Sequence, residues 1–287
     1  MTGIIIVDKP AGWTSHDVVA KLRGALRIKR VGHGGTLDPM ATGVLPVFVG
    51  RATRAASVCE NAEKEYIAGL RLGVVTDTQD ITGTVISQRD ATVCREDLAA
   101  VLPEFLGAQT QTVPMYSAVK IGGKKLYEIA RRGETVERPR REIFVPEIEL
   151  LEGEDFTLRV VCSKGTYIRT LCHDIGEKLG AGGCMSSLRR TRAGAFTIDM
   201  AHTLDEVLAA VSSGELDRVM RPIDTIFADL FAITLDPADT RKLSNGAPCD
   251  VTAADGKYRV YGPDGAFLAL GEVCDGTLRV IKNFSEQ

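Results

Sequence analysis

The stretch that decides the fold and the site covers residues 32–45 and reads GHGGTLDPMATGVL. Its four glycines permit positive φ angles and close backbone approach, and Pro39 holds the preceding Asp38 in an extended conformation. The apolar run over residues 44–49 predicts a buried segment. We therefore expect Asp38 on an irregular loop anchored by a hydrophobic segment, which is a frequent position for a functional group. A structural turn in which Asp38 only caps the backbone is the alternative.

Length and composition indicate an ordinary globular protein. The 287 residues suffice for one large domain, or for a large domain and a small one, and 44% of them are hydrophobic. Seven cysteines without a C-x-x-C pair predict reduced thiols and no cysteine zinc site. The first residues lack the basic segment and long apolar run of a signal peptide or membrane span, so we expect a cytoplasmic protein.

The charge distribution points to one defined polyanion rather than to any polyanion. The net charge is −3, but residues 21–30 carry five basic side chains and no acid. Residues 120–142 carry eight basic against four acidic side chains, and a third basic cluster occupies residues 189–192. Local basic stripes on an acidic body suit a protein that binds one RNA, although many charge clusters are merely solvated surface.

Apolar periodicity predicts a mixture of strands and helices. Thr14 or Ser15 can cap the first helix, and Gly180 ends a later one. Tyr66 falls within a strand, where a tyrosine usually serves packing. The threonine-rich and aspartate-rich segment 76–83 lacks the spacing of a calcium loop, so we interpret it as a hydrogen-bonded turn. The predicted strands are 3–9, 64–73 and 156–162, and the predicted helices begin near residues 15, 53, 95, 168 and 204.

Five motifs in order resemble those of the TruB family of tRNA pseudouridine-55 synthases. The loop fills every fixed position of the family pattern G-H-x-G-x-L-D-P-x-A-T-G-V/M-L. The resemblance covers roughly residues 3–192. The other motifs are K-P-x-G-x-T-S from residue 9, K-x-Y from residue 64, P-x-Y-S-A-x-K-x-x-G-x-x-x-Y-x-x-A-R from residue 114 and S-K-G-T-Y-I-R-T from residue 163.

The resemblance implies an α/β fold of the α+β type, with a mixed, largely antiparallel sheet flanked by helices. It places a catalytic domain at residues 1–230, with an RNA-gripping arm at about 119–142. Residues 231–287 are predicted to form a small β-rich, PUA-like RNA-binding domain. For this tail, an SH3-like module and an extension of the main sheet are the alternatives.

The same resemblance implies an enzyme that flips uridine 55 out of the tRNA T loop and isomerises it to pseudouridine, with Asp38 as nucleophile. A nucleophilic carboxylate must be ionised, and a neighbouring guanidinium lowers its pKa. Arg169 has this role by resemblance, and its unfavourable place in the first turn of a helix also calls for an anion. Tyr66 is expected to stack on the uracil and to remove a proton. Attack at C1′, addition elsewhere and a glycal route all stay open.

Further residues are expected to bind the RNA. The family resemblance assigns stacking in the opened loop to His33, and it assigns substrate contacts to Tyr167 and Leu188. Basic side chains are expected near phosphates, and Lys9 is expected both to pack behind the site and to lie near a phosphate. The basic candidates are Lys9, Lys120 and Arg131.

The reaction spends no electrons and no phosphate bond, so no cofactor and no metal are expected. The sequence accordingly has no P-loop and no Rossmann glycine fingerprint. We expect a stand-alone monomer with the tRNA T stem-loop as its partner, no obligatory protein partner and no membrane. A catalytic subunit of a guide-RNA complex of the dyskerin type, with partner proteins and terminal extensions, is the second hypothesis. A non-catalytic RNA-binding or RNA-folding protein is the third.

Overall fold

A computed structural model describes residues 1–153 and 155–285. In chain order its strands β1 to β21 are Gly3–Lys9, Val31–His33, Thr42–Val49, Lys64–Leu72, Val74–Thr76, Val85–Gln88, Gly107–Thr112, Lys120–Ile121, Lys124–Lys125, Arg140–Val145, Glu147–Leu150, Thr157–Cys162, Gly183–Ala193, Phe196–Thr197, His202–Thr203, Met220–Arg221, Phe231–Thr234, Cys249–Asp250, Gly256–Tyr261, Phe267–Cys274 and Thr277–Asn283. The helices α1 to α7 are Ser15–Leu26, Ala56–Asn61, Arg95–Val101, Leu126–Ala130, Ile168–Lys178, Leu204–Ser213 and Pro237–Ser244. Short 3-10 helices cover Gly50–Ala55, Leu102–Phe105, Ile198–Met200, Leu216–Arg218 and Ile223–Phe227.

The main sheet has ten strands. Seven of them follow the path β11-β12-β4-β13-β3-β1-β15, and the other three, β2, β14 and β16, pair with β3, β13 and β1 respectively. Most neighbours on this path are antiparallel, whereas β13 pairs with β3 and β1 pairs with β15 in parallel. Strand β3 lies inside the sheet, and from Gly43 onward all its residues are buried. The predicted fold class, a mixed and largely antiparallel sheet with flanking helices, is therefore confirmed.

Helices α1 and α5 pack against this sheet, and local sequence explains where each begins. Thr14 caps α1 by accepting a hydrogen bond from the amide of Asp17, whose carboxylate accepts one from the Thr14 amide in return. Helix α5 has no such side-chain cap. Its buried side includes Leu171 and Ile175, and the buried first turn also holds Arg169. Arg169 lies at the N-terminal end of α5, where the helix dipole disfavours a positive charge. Its stabilising partners must therefore come from other elements.

Gly43 decides how the site loop joins the sheet. Its φ of +102° is one that side-chain-bearing residues rarely adopt. A Cβ at this position would lie 2.1 Å from the carbonyl oxygen of Arg190. Only glycine therefore lets β3 and β13 pair where the register sets Arg190 beside Gly43. On its other side, Arg190 lies opposite Tyr66 of β4.

The C-terminal part forms a separate five-stranded sheet in the order β17-β19-β20-β21-β18. The alternative that this tail extends the main sheet is therefore wrong. The small sheet buries its own cluster of apolar side chains, among them Leu235, Val260 and Leu278. Phe227, which precedes the sheet, packs against Phe284 from its end. The boundary at residue 230 and the PUA-like character of this sheet stay predictions.

The predicted arm is built from very short elements. Strands β8 and β9 form a two-residue ladder, and α4 follows directly. Beyond residue 130 the chain has no helix or strand until β10, which pairs with β7. Over residues 1–153 and 155–285, no helix is both long enough and apolar enough to cross a membrane.

Candidate active site

The loop that carries Asp38 lies between β2 and β3 and is fixed to the beginning of α1. The Ser15 hydroxyl donates to the carbonyl of Leu37 at 3.2 Å and accepts from the Leu37 amide at 2.9 Å. The amide of Gly12 donates to the carbonyl of Pro39 at 2.8 Å. These contacts hold the residues on both sides of Asp38, whose side chain remains 35% exposed. The carboxylate is thus rigidly placed and open to a ligand.

Arg169 reaches this carboxylate from α5. Its Nε lies 2.9 Å from Oδ2 of Asp38. One terminal nitrogen also donates to Oδ1 of Asp38 at 3.3 Å and to the carbonyl of Tyr116 at 3.1 Å. The arginine side chain is only 5% exposed, so solvent screens this ion pair weakly. The structure therefore brings together the two residues between which the sequence predicts an ion pair.

Asp80 is a second carboxylate at the same guanidinium, and the sequence analysis missed it. Its Oδ2 lies 3.6 Å from the other terminal nitrogen of Arg169, which also donates to the carbonyl of Thr78 at 2.9 Å. Its Oδ1 accepts from the amide of Thr82 at 3.0 Å. Asp80 is buried in the segment interpreted as a hydrogen-bonded turn. The predicted turn is present. The only sequence feature that could have indicated a second partner for Arg169 was the additional aspartate within this turn.

Tyr66 lies on β4 with 8% of its surface exposed. Burial raises the pKa of its hydroxyl, whereas the charge of Arg190 acts in the opposite direction. Asp38 adds to the upward shift of this pKa. The roles of Tyr66 in stacking and proton removal stay predictions.

Arg190 is buried, which corrects the interpretation of residues 189–192 as an exposed basic stripe. It is 1% exposed and donates to the carbonyls of Val44 at 2.7 Å and Gly35 at 3.1 Å. The adjacent Arg189 donates to both carboxylate oxygens of Asp8, at 3.1 and 2.8 Å. Alternation along β13 turns neighbouring side chains to opposite faces, so the cluster does not form one surface stripe.

Lys9 is fully buried, and the predicted phosphate contact is wrong for this residue. Its ammonium donates to the carbonyls of Pro10, Trp13 and Pro39 at 2.9, 2.6 and 3.2 Å. These three bonds use all its donors. Burial is the main cause that lowers the pKa of Lys9 to about 8, although the charge of Asp38 opposes it. Lys9 therefore supports the site loop from behind, which is the other role considered for it.

The remaining predicted residues divide between the site and the arm. His33 packs edge-on against His16 with ring centres 5.4 Å apart, and burial lowers its pKa to about 4. Leu188 is buried on β13. Tyr167 is half-buried, with the guanidinium of Arg141 5.3 Å from its ring centre.

Lys120 and Arg131 lie exposed on the arm. The guanidinium carbon of Arg131 is 5.3 Å from the ring centre of Tyr127, in a cation–π contact. Their part in RNA binding stays a prediction. Among the residues that the structure describes, no group of three or more His, Cys, Asp or Glu side chains is placed to hold a metal ion.

Two family models match the chain. Residues 23–168 match the model described as "TruB family pseudouridylate synthase (N terminal domain)". Residues 169–228 match the model described as "tRNA pseudouridylate synthase B C-terminal domain". Together these two matches run without a gap from residue 23, within α1, to residue 228, which follows the last strand of the main sheet.

Relatives with curated names match over almost the whole chain. The tRNA pseudouridine synthase B of Syntrophomonas wolfei is 44% identical over 281 residues, covering 95% of this chain and 93% of the relative. That of Geobacillus thermodenitrificans is 42% identical over 284 residues, which is 94% of each protein. Among solved structures, an H/ACA RNP bound to a substrate RNA containing 2'-deoxyuridine matches with a TM-score of 0.75 and 27% identity. That match covers 99% of this chain and 85% of the other.

Proposed function

The chain belongs to the TruB family of pseudouridylate synthases and is a tRNA pseudouridine synthase, and we propose that its target is uridine 55 of the T loop. The observation that carries this proposal is the pair formed by the partly exposed Asp38 and the buried Arg169, 2.9 Å apart. The five sequence motifs support the choice of position 55, since they resemble those of the enzymes that act there.

We infer that Asp38 is the nucleophile. The isomerisation breaks the N1–C1′ bond, forms a C5–C1′ bond, moves one proton off C5 and returns one proton to N1. A carboxylate can attack only in its ionised form, and the guanidinium of Arg169 supplies the opposite charge 2.9 Å away. The 35% exposure of Asp38 leaves room for a nucleoside to approach. Attack at C1′ and a route through a glycal both begin from this ionised carboxylate.

The target base must leave the RNA fold to reach this carboxylate. Flipping a base costs a few kcal/mol of stacking and pairing. We propose that the ring of Tyr66 stacks on the flipped uracil and that His33 occupies the opened loop. The low pKa of His33, about 4, keeps its ring neutral at physiological pH, which suits stacking on a base. Tyr167 and Leu188 complete the uracil-binding side, and Lys120 and Arg131 are proposed to contact phosphates from the arm.

We further propose that the chain acts alone, as a monomer in the cytoplasm. Its curated relatives are tRNA pseudouridine synthases, whereas the similar solved structure is an H/ACA RNP. The identity to the former is the higher, 42–44% against 27%. This difference favours a stand-alone tRNA enzyme over the catalytic subunit of a guide-RNA complex. The small C-terminal sheet is proposed to be a PUA-like RNA-binding domain.

Mapping of pseudouridine in RNA incubated with the purified protein alone tests the proposal. We expect modification of a T-arm hairpin at the position of uridine 55, without added metal, cofactor or protein. A hairpin with cytidine at this position is the matched control RNA. Asp38→Asn is the matched variant, expected to bind the hairpin within a few-fold of the wild type and to form no pseudouridine.

Three outcomes would contradict specific parts of the proposal. Modification at another uridine would reject the target. Activity of Asp38→Asn within a few-fold of the wild type would reject the nucleophile. Activity that appears only after addition of a guide RNA and partner proteins would support the guide-RNA hypothesis instead.

A further inference from the structure

A buried guanidinium without a carboxylate partner holds the loop that carries Asp38. Arg190 is 1% exposed, and its acceptors are the carbonyl oxygens of Val44 and Gly35. Among the described residues, no carboxylate pairs with it. Two further buried cations, Lys9 and Lys64, interact with it electrostatically and likewise lack a buried carboxylate. Burying an unpaired charge is costly, so packing alone does not account for this arginine.

The position of Arg190 gives this charge a use. Gly35 precedes Asp38 by three residues and Val44 follows it by six, so one side chain holds the loop on both sides of the nucleophile. Across the β4–β13 pairing, Arg190 lies directly opposite Tyr66, so the two side chains share one face of the sheet. Arg190 therefore holds the loop of the proposed nucleophile and lies beside the proposed stacking residue.

A buried cation on the same face of the sheet stabilises a phenolate more than a phenol, because only the phenolate carries a charge. Burial by itself disfavours the phenolate. Arg190 is the group that counteracts this effect at Tyr66.

We propose that Arg190 is a positioning residue for the last step of pseudouridine formation, and that its buried charge beside Tyr66 favours the ionised hydroxyl that removes the C5 proton. This inference rests on the proposed function. In the step, the C5–H bond breaks, its electron pair restores the ring double bond, and the Tyr66 oxygen takes the proton. N1 takes a proton from water, and the hydroxide formed returns Tyr66 to its starting state, so the protons balance.

Single-turnover kinetics on T-arm RNA with hydrogen or deuterium at C5 of the target uridine test this role. For Arg190→Met we expect a rate loss of about 10²-fold, the lower end of what a general base contributes. The deuterium isotope effect should rise above that of the wild type, because proton removal becomes slower than the other steps. RNA binding should stay within about twofold, since Arg190 is buried. The rising limb of the pH–rate profile, which reports ionisation of the base, should move to higher pH.

Two further variants separate positioning from mere support of the fold. Arg190→Lys keeps the charge and should recover part of the rate and the wild-type isotope effect. Arg159→Met is the matched control, because Arg159 lies on β12, the other strand that flanks β4, and pairs with Glu65. It should leave the isotope effect and the pH profile unchanged.

The outcomes distinguish this inference from the proposed function. Arg190→Lys and Arg190→Met with the wild-type isotope effect and pH profile would overturn the inference and leave the function in place. If Arg190→Met does not fold, the effect of Arg190→Lys on the rate is measured twice, once in the wild-type protein and once in Tyr66→Phe. An equal rate loss in both backgrounds would contradict an action of Arg190 through the Tyr66 hydroxyl. A wild-type protein that forms no pseudouridine would overturn both.

Discussion

Two buried arginines contact the loop and strand around Asp38, and their surroundings differ in kind. Arg169 faces the carboxylates of Asp38 and Asp80 at 2.9 and 3.6 Å, so its charge is compensated. Arg190 donates to two backbone carbonyls and lies opposite Tyr66, and no carboxylate among the described residues compensates its charge. Residue type and burial therefore do not fix an electrostatic role. The charge of Arg169 is taken up by carboxylates, whereas the charge of Arg190 acts on its neighbours without such a pair.

The largest expected effect is on stability. Arg169→Met leaves two carboxylates without their cation, and breaking such a buried pair costs about 3–5 kcal/mol of the free energy of unfolding. Arg190→Met removes donors only from neutral oxygens, which costs about 1–3 kcal/mol. Urea unfolding at pH 7 measures both. Equal losses, or a larger loss for Arg190→Met, would show that the charge environments do not differ as described.

The second effect is on the rate. Arg169→Lys keeps a cation but loses the planar fork that contacts both oxygens of Asp38. We expect the single-turnover rate to fall by about 10²-fold, or about 2.7 kcal/mol in the barrier, with little change in fold. Circular dichroism and the unfolding midpoint provide the control for the fold. A rate close to the wild-type value would remove the ion pair from the catalytic argument.

The third effect is on the pH dependence of stability and concerns His33. Burial is the main cause that lowers the pKa of His33 to about 4, and the charges of His16 and Arg190 add to it. The unfolded chain takes up a proton here near pH 6.5, whereas the folded protein does not until about pH 4. Stability is therefore lost as the pH falls below 6.5. Between pH 7 and 5, wild-type protein should lose about 2 kcal/mol more than His33→Gln. Identical losses would contradict the low pKa.

The smallest expected effect is the contribution of an exposed ion pair to stability. Lys178 and Glu104 lie 2.6 Å apart, but their side chains are 49% and 54% exposed. Solvent and salt screen such a pair, so Lys178→Gln should leave the urea midpoint and the rate within experimental error. A clear loss that disappears at high salt would mean that surface pairs matter more in this protein than burial suggests.

Much of this site could be predicted from the sequence, because its parts are local. The glycines and Pro39 place Asp38 on an irregular loop, and the apolar run after it forms the buried strand β3. The helix-dipole argument predicted an anion for Arg169, and Asp38 lies there at 2.9 Å. Each of these inferences depends on residues that are neighbours in the chain or on one helix end.

Other parts could not be predicted, because they depend on which strands pair. Asp80 reads as one acid of a polar turn, and only the position of α5 gives it a cation. Arg190 reads as one of a run of arginines, and only the register of β13 between β3 and β4 buries it beside Tyr66. Lys9 reads as a basic residue near a turn, and only the approach of the loop at Pro39 engages its third donor.

The sequence by itself therefore determined the family, the loop, the nucleophile candidate and its expected cation, because motifs and local backbone chemistry are written in consecutive residues. The tertiary structure alone decided which cations are compensated and which are not. Charge compensation depends on contacts between residues far apart in the chain, such as 131 positions between Asp38 and Arg169. Such contacts exist only once the sheet has set its strand order and register.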